Sequence, residues 1–359
     1  MYKNMEEKLE ENRARKRLAV IFGGYSSEYE VSLQSAFSVF TNLDAKKYEV
    51  LAIGITREGD WYHYCGDYQN IPDNIWMLDC AHLTPVVFSQ NRSIGGLLEL
   101  TEHGYQALPI DLALPILHGK YGEDGTVQGM LELAGITLIG CNTLASALCM
   151  DKDMAHKLVH TAGIAVPRAV TLTRGNQDKV SELTKELSYP LFVKPVRAGS
   201  SFGITKIYQH TQLASAVELA FTHDSDVIIE ENIEGFEVGC AVLGMEELIV
   251  GRVDEIELTE GFFDYTEKYT LKSSTIHMPA RIDAAVEAKI QETAKVIYET
   301  LGCSGFARVD MFLTPDGTIV FNEVNTIPGF TSHSRYPNMM KGVGLSFPAM
   351  LDRLIGLYI

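Results

Sequence analysis

Along the first third of the chain, apolar runs that stop at glycine alternate with stretches of mixed character. Residues 17–24 read RLAVIFGG, in which an apolar run from Leu18 to Phe22 ends at two glycines, the pattern of a buried strand. SSEYEVSLQSAFSVFTNL turns helical after Ser32, and YEVLAIGIT returns to strand. DLALPILHGKYGEDG then predicts an apolar strand running into a polar, glycine-rich loop, followed by a helix over VQGMLELAG and a strand over ITLIG. This β-then-α order predicts an N-terminal α/β domain built on a doubly wound parallel sheet.

From about Cys141 the pattern changes. TLASALCMD and KDMAHKLVHTAG read as helices, the second stopped by Gly163 with Pro167 beyond it. Strands follow around RAVTL, PLFVKPV and GITKIYQ, then a helix QLASAVELAFTH and a strand DVIIEE, the make-up of a small α+β domain. A third region opens with GFEVGCAVLG and holds the helix VEAKIQETAKVIYETLG, where Ile290, Ile297 and Leu301 share one face. The expected division is a flexible tail over 1–16, then domains over 17–139, 140–229 and 230–359.

Composition narrows the function classes. At 359 residues the chain exceeds one ordinary core. With 46% hydrophobic and 21% charged residues and no apolar run of bilayer length, a soluble multi-domain protein is expected. The first 17 residues, MYKNMEEKLEENRARKR, lack the apolar core of a signal peptide, so the expected location is cytoplasmic and no membrane partner is expected. The six cysteines show no paired spacing and read as reduced thiols. A formal charge of -17 argues against sequence-independent nucleic-acid binding.

Two clusters carry candidate chemistry. In GFARVDMFLTPDGTIVFNEVN, two apolar strands flank the turn Thr314-Pro315-Asp316-Gly317. Side chains alternate, so Arg308 and Asp310 share a face, as do Glu323 and Asn325. A four-residue loop brings all four to one face, gathering one cation and three oxygen donors. Asp310, Glu323 and Asn325 suit a hard cation that completes its shell with water and substrate phosphate; a salt-bridged surface hairpin is the plainer alternative. The second cluster, KPVRAGSSFGITK, offers backbone N–H groups, hydroxyls and Lys194 to phosphate oxygens, although GxxxxGK[ST] is absent. Lys152 alone reads as a solvent-facing lysine.

Taken in order, FGGYSSEYEVS, LHGKYGEDGTVQG, SALCMDK, VKPVRAGSSFG, VIIEENIEGFEVG, FFDYTEKY, GFARVDMF and NEVNTIPGFTSHS resemble the ATP-grasp ligases of the D-alanine:D-alanine ligase family over residues 17–358. The resemblance implies an ATP-dependent acid–amino-acid ligase of three domains. By motif, Lys152 and Lys194 hold nucleotide phosphates, with Ser200, Ser201 and Lys268 closing over them and Phe262 of the lid loop also meeting the nucleotide. Glu230 and the following backbone, through Glu231 and Ile233, meet the adenine; Glu237 meets the ribose. Asp310, Glu323 and Asn325 hold two magnesium ions, for which manganese can substitute, and Asn322 and Glu323 also meet the nucleotide. Glu28 pairs with the first substrate's ammonium, supported by Ser200 and Tyr269, and His118 shares that subsite unless it is a structural imidazole. Arg308 and the N–H of Gly329 are the implied oxyanion donors. Relatives are commonly homodimers.

The second substrate is written around Ser334, whose hydroxyl is implied to meet its carboxylate. Tyr269 in the EKY motif resembles enzymes with an amine nucleophile. Where relatives that make D-alanyl-D-alanine often carry an apolar residue, this chain has Arg335, which can hydrogen-bond a hydroxymethyl group or merely pair with an acidic neighbour. Arg335-Tyr336 and the lid sequence resemble the D-alanine:D-serine ligases of vancomycin-resistant bacteria, the VanG kind in particular. The expected substrates are therefore D-alanine and D-serine. The alternatives are a housekeeping D-alanine:D-alanine ligase and a catalytically silent nucleotide-binding regulator. A dinucleotide-dependent dehydrogenase is disfavoured, because FGGYSSE lacks GxGxxG.

Overall fold

Strand β1 (Lys16–Gly23) buries every residue from Leu18 to Gly23, which requires cover on both faces. The computed structural model, which describes residues 15–199, 202–258 and 274–359, supplies that cover. β1 pairs in parallel with β2 (Tyr48–Ile55) and with β7 (Leu112–Pro115), and β7 pairs in parallel with β8 (Thr137–Leu138). Ala19, Ile21 and Ile53 join Val127, Leu131 and Ala134 in one apolar core. The loop from β1 into α1 (Tyr29–Asn42) and the loop from β7 towards α2 (Thr126–Ala134) leave the carboxyl ends of adjacent strands, where α/β sheets place their ligands.

The expectation of a parallel sheet needs correction. Its other half is antiparallel: β3 (Trp61–Tyr64), β4 (Leu83–Phe88), β5 (Gly96–Thr101) and β6 (Gly104–Pro109) give a mixed sheet in the order β6-β5-β4-β3-β2-β1-β7-β8. The cause is local. After Ile55 the chain turns back within 56–60, closed by a Thr56 N–H to Asp60 carbonyl bond of 2.8 Å and by Gly59 at φ +95°. No crossover helix intervenes, so the next strand must be antiparallel.

Two further sheets follow helices α3 (Thr143–Met150) and α4 (Lys152–Thr161). The first has the order β11-β10-β12-β9, from β9 (Ala169–Thr173), β10 (Leu191–Pro195), β11 (Thr205–Ile207) and β12 (Asp226–Glu231), with α5 (Leu213–Ala220) packed on one face. The second has the order β15-β14-β13-β16-β17, from β13 (Phe236–Gly244), β14 (Leu248–Leu258), β15 (Ser274–His277), β16 (Gly305–Leu313) and β17 (Ile319–Asn325). Helix α6 (Ala284–Thr300) lays Ile290, Ala294, Ile297 and Tyr298 on it, the face read from the sequence spacing.

The chain ends in α7 (Arg335–Lys341) and α8 (Phe347–Gly356). It forms two units: one comprises the chain up to Thr143 with Gly329–Pro337 and Leu345–Ile359, the other Leu144–Pro328 with Asn338–Gly344. In the first unit the C-terminal segment is tied back by Tyr358, whose hydroxyl bonds both N–H and carbonyl of Gly140, and by Lys47 on Asp352. All six cysteines are free, and among the described residues no helix is long and apolar enough to cross a membrane.

Candidate active site

The β16–β17 hairpin does bring Arg308, Asp310, Glu323 and Asn325 together, by a route the sequence argument did not foresee. Its loop, 314–318, has five residues rather than four. Leu313, Phe312 and Met311 therefore pair with Ile319, Val320 and Phe321, a register that by itself turns Glu323 and Asn325 away from Asp310. A β-bulge at Asn322 takes up the odd residue, so that Asp310 pairs with Glu323 and Arg308 with Asn325.

Asp310 is 1% exposed and both its oxygens are bonded. Arg308 donates from Nε at 2.8 Å and from its terminal nitrogen at 2.7 Å, and Asn325 Nδ2 donates at 2.9 Å, leaving Oδ1 as that amide's acceptor. Two carboxylates and an amide oxygen form a hard-oxygen donor set that fits a divalent cation of the magnesium type. Among the described residues no group of three or more His, Cys, Asp or Glu side chains is arranged to hold a metal ion; the donors here are two carboxylates and one amide.

Glu323 and Asn322 also line a cleft of about 620 Å3 in the second unit, together with Lys152, Lys194, Glu230, Ile233 and Glu237. Strand register sets its floor. Phe192 pairs with Lys206 on one side and with Glu230 on the other, and Lys194 lies two residues along on the same face. Lys194 bonds Glu230 at 2.5 Å. Burial pushes the Glu230 carboxyl up, but Lys194, His156 and Lys152 outweigh it and hold it below the usual carboxylate range. Lys152 donates to the Ala198 carbonyl at 2.9 Å and lies 3.8 Å from Glu323. It is buried, unlike the solvent-facing lysine that its sequence context alone suggested. Asp151 caps α4, and Arg197 joins Asp151, Asp224 and Asp226, so the loop after β10 is anchored at its base. Glu231 accepts from the Ser188 N–H at 2.8 Å and faces Arg168.

The remaining candidates lie in the first unit. Glu28 is buried in the β1–α1 loop. Its carboxylate packs so close to Gly119 (φ +74°) that a Cβ there would lie 2.4 Å from Oε2. Ser26 accepts from the Glu28 N–H and donates to the His118 carbonyl at 2.8 Å, joining the two loops. His118 Nε2 meets Ser35 at 3.1 Å. Ser334 accepts from the Thr331 N–H at 3.0 Å, and its Oγ would lie 2.9 Å from a Cβ on Gly329. Arg335, 8% exposed, opens α7. Ser200, Ser201, Phe262, Lys268 and Tyr269 lie outside the described residues.

Three participants escaped the sequence reading. His156 donates from Nε2 to the carbonyl of Asn322 at 2.8 Å and faces Glu230 at 3.7 Å. Its spacing of four from Lys152 on an amphipathic helix was the available signal. Ser35, and Arg281, which lines the cleft beside its partner Glu255, gave none, because their partners are remote in sequence.

Comparison with known proteins resolves the family. Residues 17–141 match the D-ala D-ala ligase N-terminus model and residues 158–356 the D-ala D-ala ligase C-terminus model. The chain belongs to the D-Ala-D-Ala ligase family. A solved member, the VanG D-Ala:D-Ser ligase from Enterococcus faecalis, is 66% identical with a TM-score of 0.91, covering 96% of this chain and 100% of the other. The vancomycin C-type resistance protein VanC1 of Enterococcus gallinarum is 46% identical over 344 residues, 95% of this chain and 98% of that protein. The D-alanine-D-alanine ligase from Coxiella burnetii is 32% identical with a TM-score of 0.85, covering 96% and 94%. Within this D-Ala-D-Ala ligase family, Van-type resistance ligases thus stand among the similar relatives, and the fold is the family's ATP-grasp fold with a mixed N-terminal sheet.

Proposed function

We propose that this ligase joins D-alanine to D-serine through a D-alanyl phosphate, supplying a peptidoglycan precursor that vancomycin binds poorly. The observation that carries the reading is the 66% identity, over 96% of the chain, with a solved D-Ala:D-Ser ligase. Arg335 gives it a physical reason: an apolar wall leaves the serine hydroxyl unpaired at a cost of about 1–3 kcal/mol, whereas a guanidinium can bond it directly or through water.

In this reading Lys152 and Lys194 hold the phosphates of ATP, Glu230 and the backbone of Glu231 to Ile233 hold the adenine, and Glu237 holds the ribose. Asp310, Glu323 and Asn325 hold two magnesium ions, or manganese, which when bound offset the charge that develops on the phosphoryl oxygens. Glu28 and His118 orient D-alanine, whose carboxylate oxygen takes the γ-phosphoryl group as ADP departs. The amine of D-serine, its carboxylate on Ser334, then attacks the acyl carbon, and as the C–O bond to phosphate breaks the nitrogen gives up a proton. Arg308 and the Gly329 N–H offset the oxyanion, with Ser200, Ser201, Lys268, Phe262 and Tyr269 completing the site. The work is done by positioning and charge. We further propose the three-domain division at 139 and 229, a cytoplasmic location and a homodimer, the last checked by light scattering on the purified chain.

Competition between D-alanine and D-serine at neutral pH, with ATP, Mg2+ and chromatographic product analysis, tests the specificity. D-alanyl-D-serine should dominate. A clear excess of D-alanyl-D-alanine makes this the housekeeping ligase instead, and phosphate release indifferent to D-amino acids makes it a silent nucleotide binder.

A further inference from the structure

We propose that Ser35 is a positioning residue for this reaction: its buried hydroxyl sets the tautomer of His118 and ties that imidazole to the backbone N–H of Phe330, beside Gly329. The inference rests on the ligase reading above for its functional meaning and on geometry alone for the tautomer.

Helix α1 turns two serines inward, Ser32 and Ser35, both 0% exposed. Being three apart, they lie on one face. A fully buried hydroxyl needs partners for its proton and its lone pairs. Ser32 meets that need by accepting from the Gly23 N–H at 2.8 Å and donating to the Ile116 carbonyl at 2.5 Å, which fixes the ends of β1 and β7. Ser35 does the same one turn later. It accepts from the Phe330 N–H at 3.3 Å and lies 3.1 Å from His118 Nε2.

The polarity follows from counting protons. A backbone N–H can only donate, so Ser35 Oγ is the acceptor towards Phe330. Its single proton must then go elsewhere, and His118 Nε2 is the one acceptor bonded to it among the described residues. Nε2 therefore carries the lone pair and Nδ1 the proton. A neutral imidazole of that tautomer is a donor at Nδ1, the polarity that attracts a carboxylate or phosphoryl oxygen. The opposite tautomer offers a lone pair there and repels the same oxygen. The other end of the link is equally fixed, because Phe330 is fully buried and packs against Tyr336 and Phe347 with ring centroids at 5.7 and 5.6 Å. One hydroxyl thus coordinates the subsite imidazole with the peptide that follows Gly329.

Long-range 1H–15N NMR on 15N-histidine-labelled protein, with the His118 signals assigned from a His118→Asn variant, reads the tautomer without turnover. The native chain should show His118 neutral and protonated at Nδ1, and Ser35→Ala should move it towards the Nε2-protonated form preferred in water. In parallel, Ser35→Ala should lower kcat/KM for D-alanine by about 3- to 10-fold, the loss expected for one neutral hydrogen bond, while KM for ATP stays within about twofold of native. A native His118 protonated at Nε2 overturns the proposal, and so does a tautomer or a kcat/KM for D-alanine that Ser35→Ala leaves unchanged. If Ser35→Ala fails to fold, the native spectrum alone decides. A native chain without ligase activity defeats the reading of the previous section and leaves the spectral result standing, so the two failures are told apart.

Discussion

Asp310 stands opposite Glu323 across the β16–β17 hairpin, while its neighbour Met311 stands opposite Phe321. The skipped residue, Asn322, turns its carbonyl to His156 at 2.8 Å, and His156 faces Glu230 on the far wall of the cleft. The same bulge that gathers the oxygen donors thus also links their strand to the Lys194–Glu230 pair.

In the reading proposed above, Glu323 is the carboxylate that serves both magnesium ions. Glu323→Gln keeps the size and removes the charge, so turnover, measured as ADP release, should fall at least about 100-fold with the melting temperature within about 2 °C of native. Unchanged turnover rejects Glu323 as a metal ligand.

Lys194 neutralises a fully buried carboxylate. Lys194→Met leaves Glu230 with the more distant His156 and Lys152, and breaking a buried pair costs about 3–5 kcal/mol. The variant should lose stability in urea and bind ATP too weakly to saturate. Lys194→Met/Glu230→Gln should regain most of the stability and none of the ATP binding. A single variant as stable as native contradicts the pairing.

Arg335→Leu should shift the ratio of D-serine to D-alanine use by about 5- to 150-fold towards D-alanine, the range that 1–3 kcal/mol represents, with kcat/KM for ATP little changed. Mixed-substrate product ratios measure it, and an unaltered ratio removes Arg335 from the selector role.

Arg281 lies 2.6 Å from Glu255 and 3.1 Å from Glu257. Hydrogen bonding from Arg281 holds the Glu255 carboxyl below the usual carboxylate range, against the opposing effect of burial. A folded-state value lower than the unfolded one stabilises the fold above the ordinary value of about 4.3, and that contribution is lost as pH falls through the depressed folded-state value. Glu255→Gln should therefore melt below native at pH 7, with the gap closing on acidification beneath about pH 4. Thermal scans across that range check it; a gap that persists at low pH assigns the loss to packing.

What the sequence carried by itself was local periodicity and the order of its motifs. Alternation along 305–325 placed Arg308 with Asp310 and Glu323 with Asn325, and the spacing of Ile290, Ile297 and Leu301 gave the buried face of α6, because side-chain direction repeats every two residues in a strand and every 3.6 in a helix. The motif order carried the family. Tertiary structure alone decided what depends on the partner rather than on the segment. The bulge at Asn322 corrected a register that the five-residue loop had shifted, and Ser35 found partners 83 and 295 residues away. Register and long-range pairing are set by which surfaces meet once the chain has closed on itself, and neighbouring residues do not encode that.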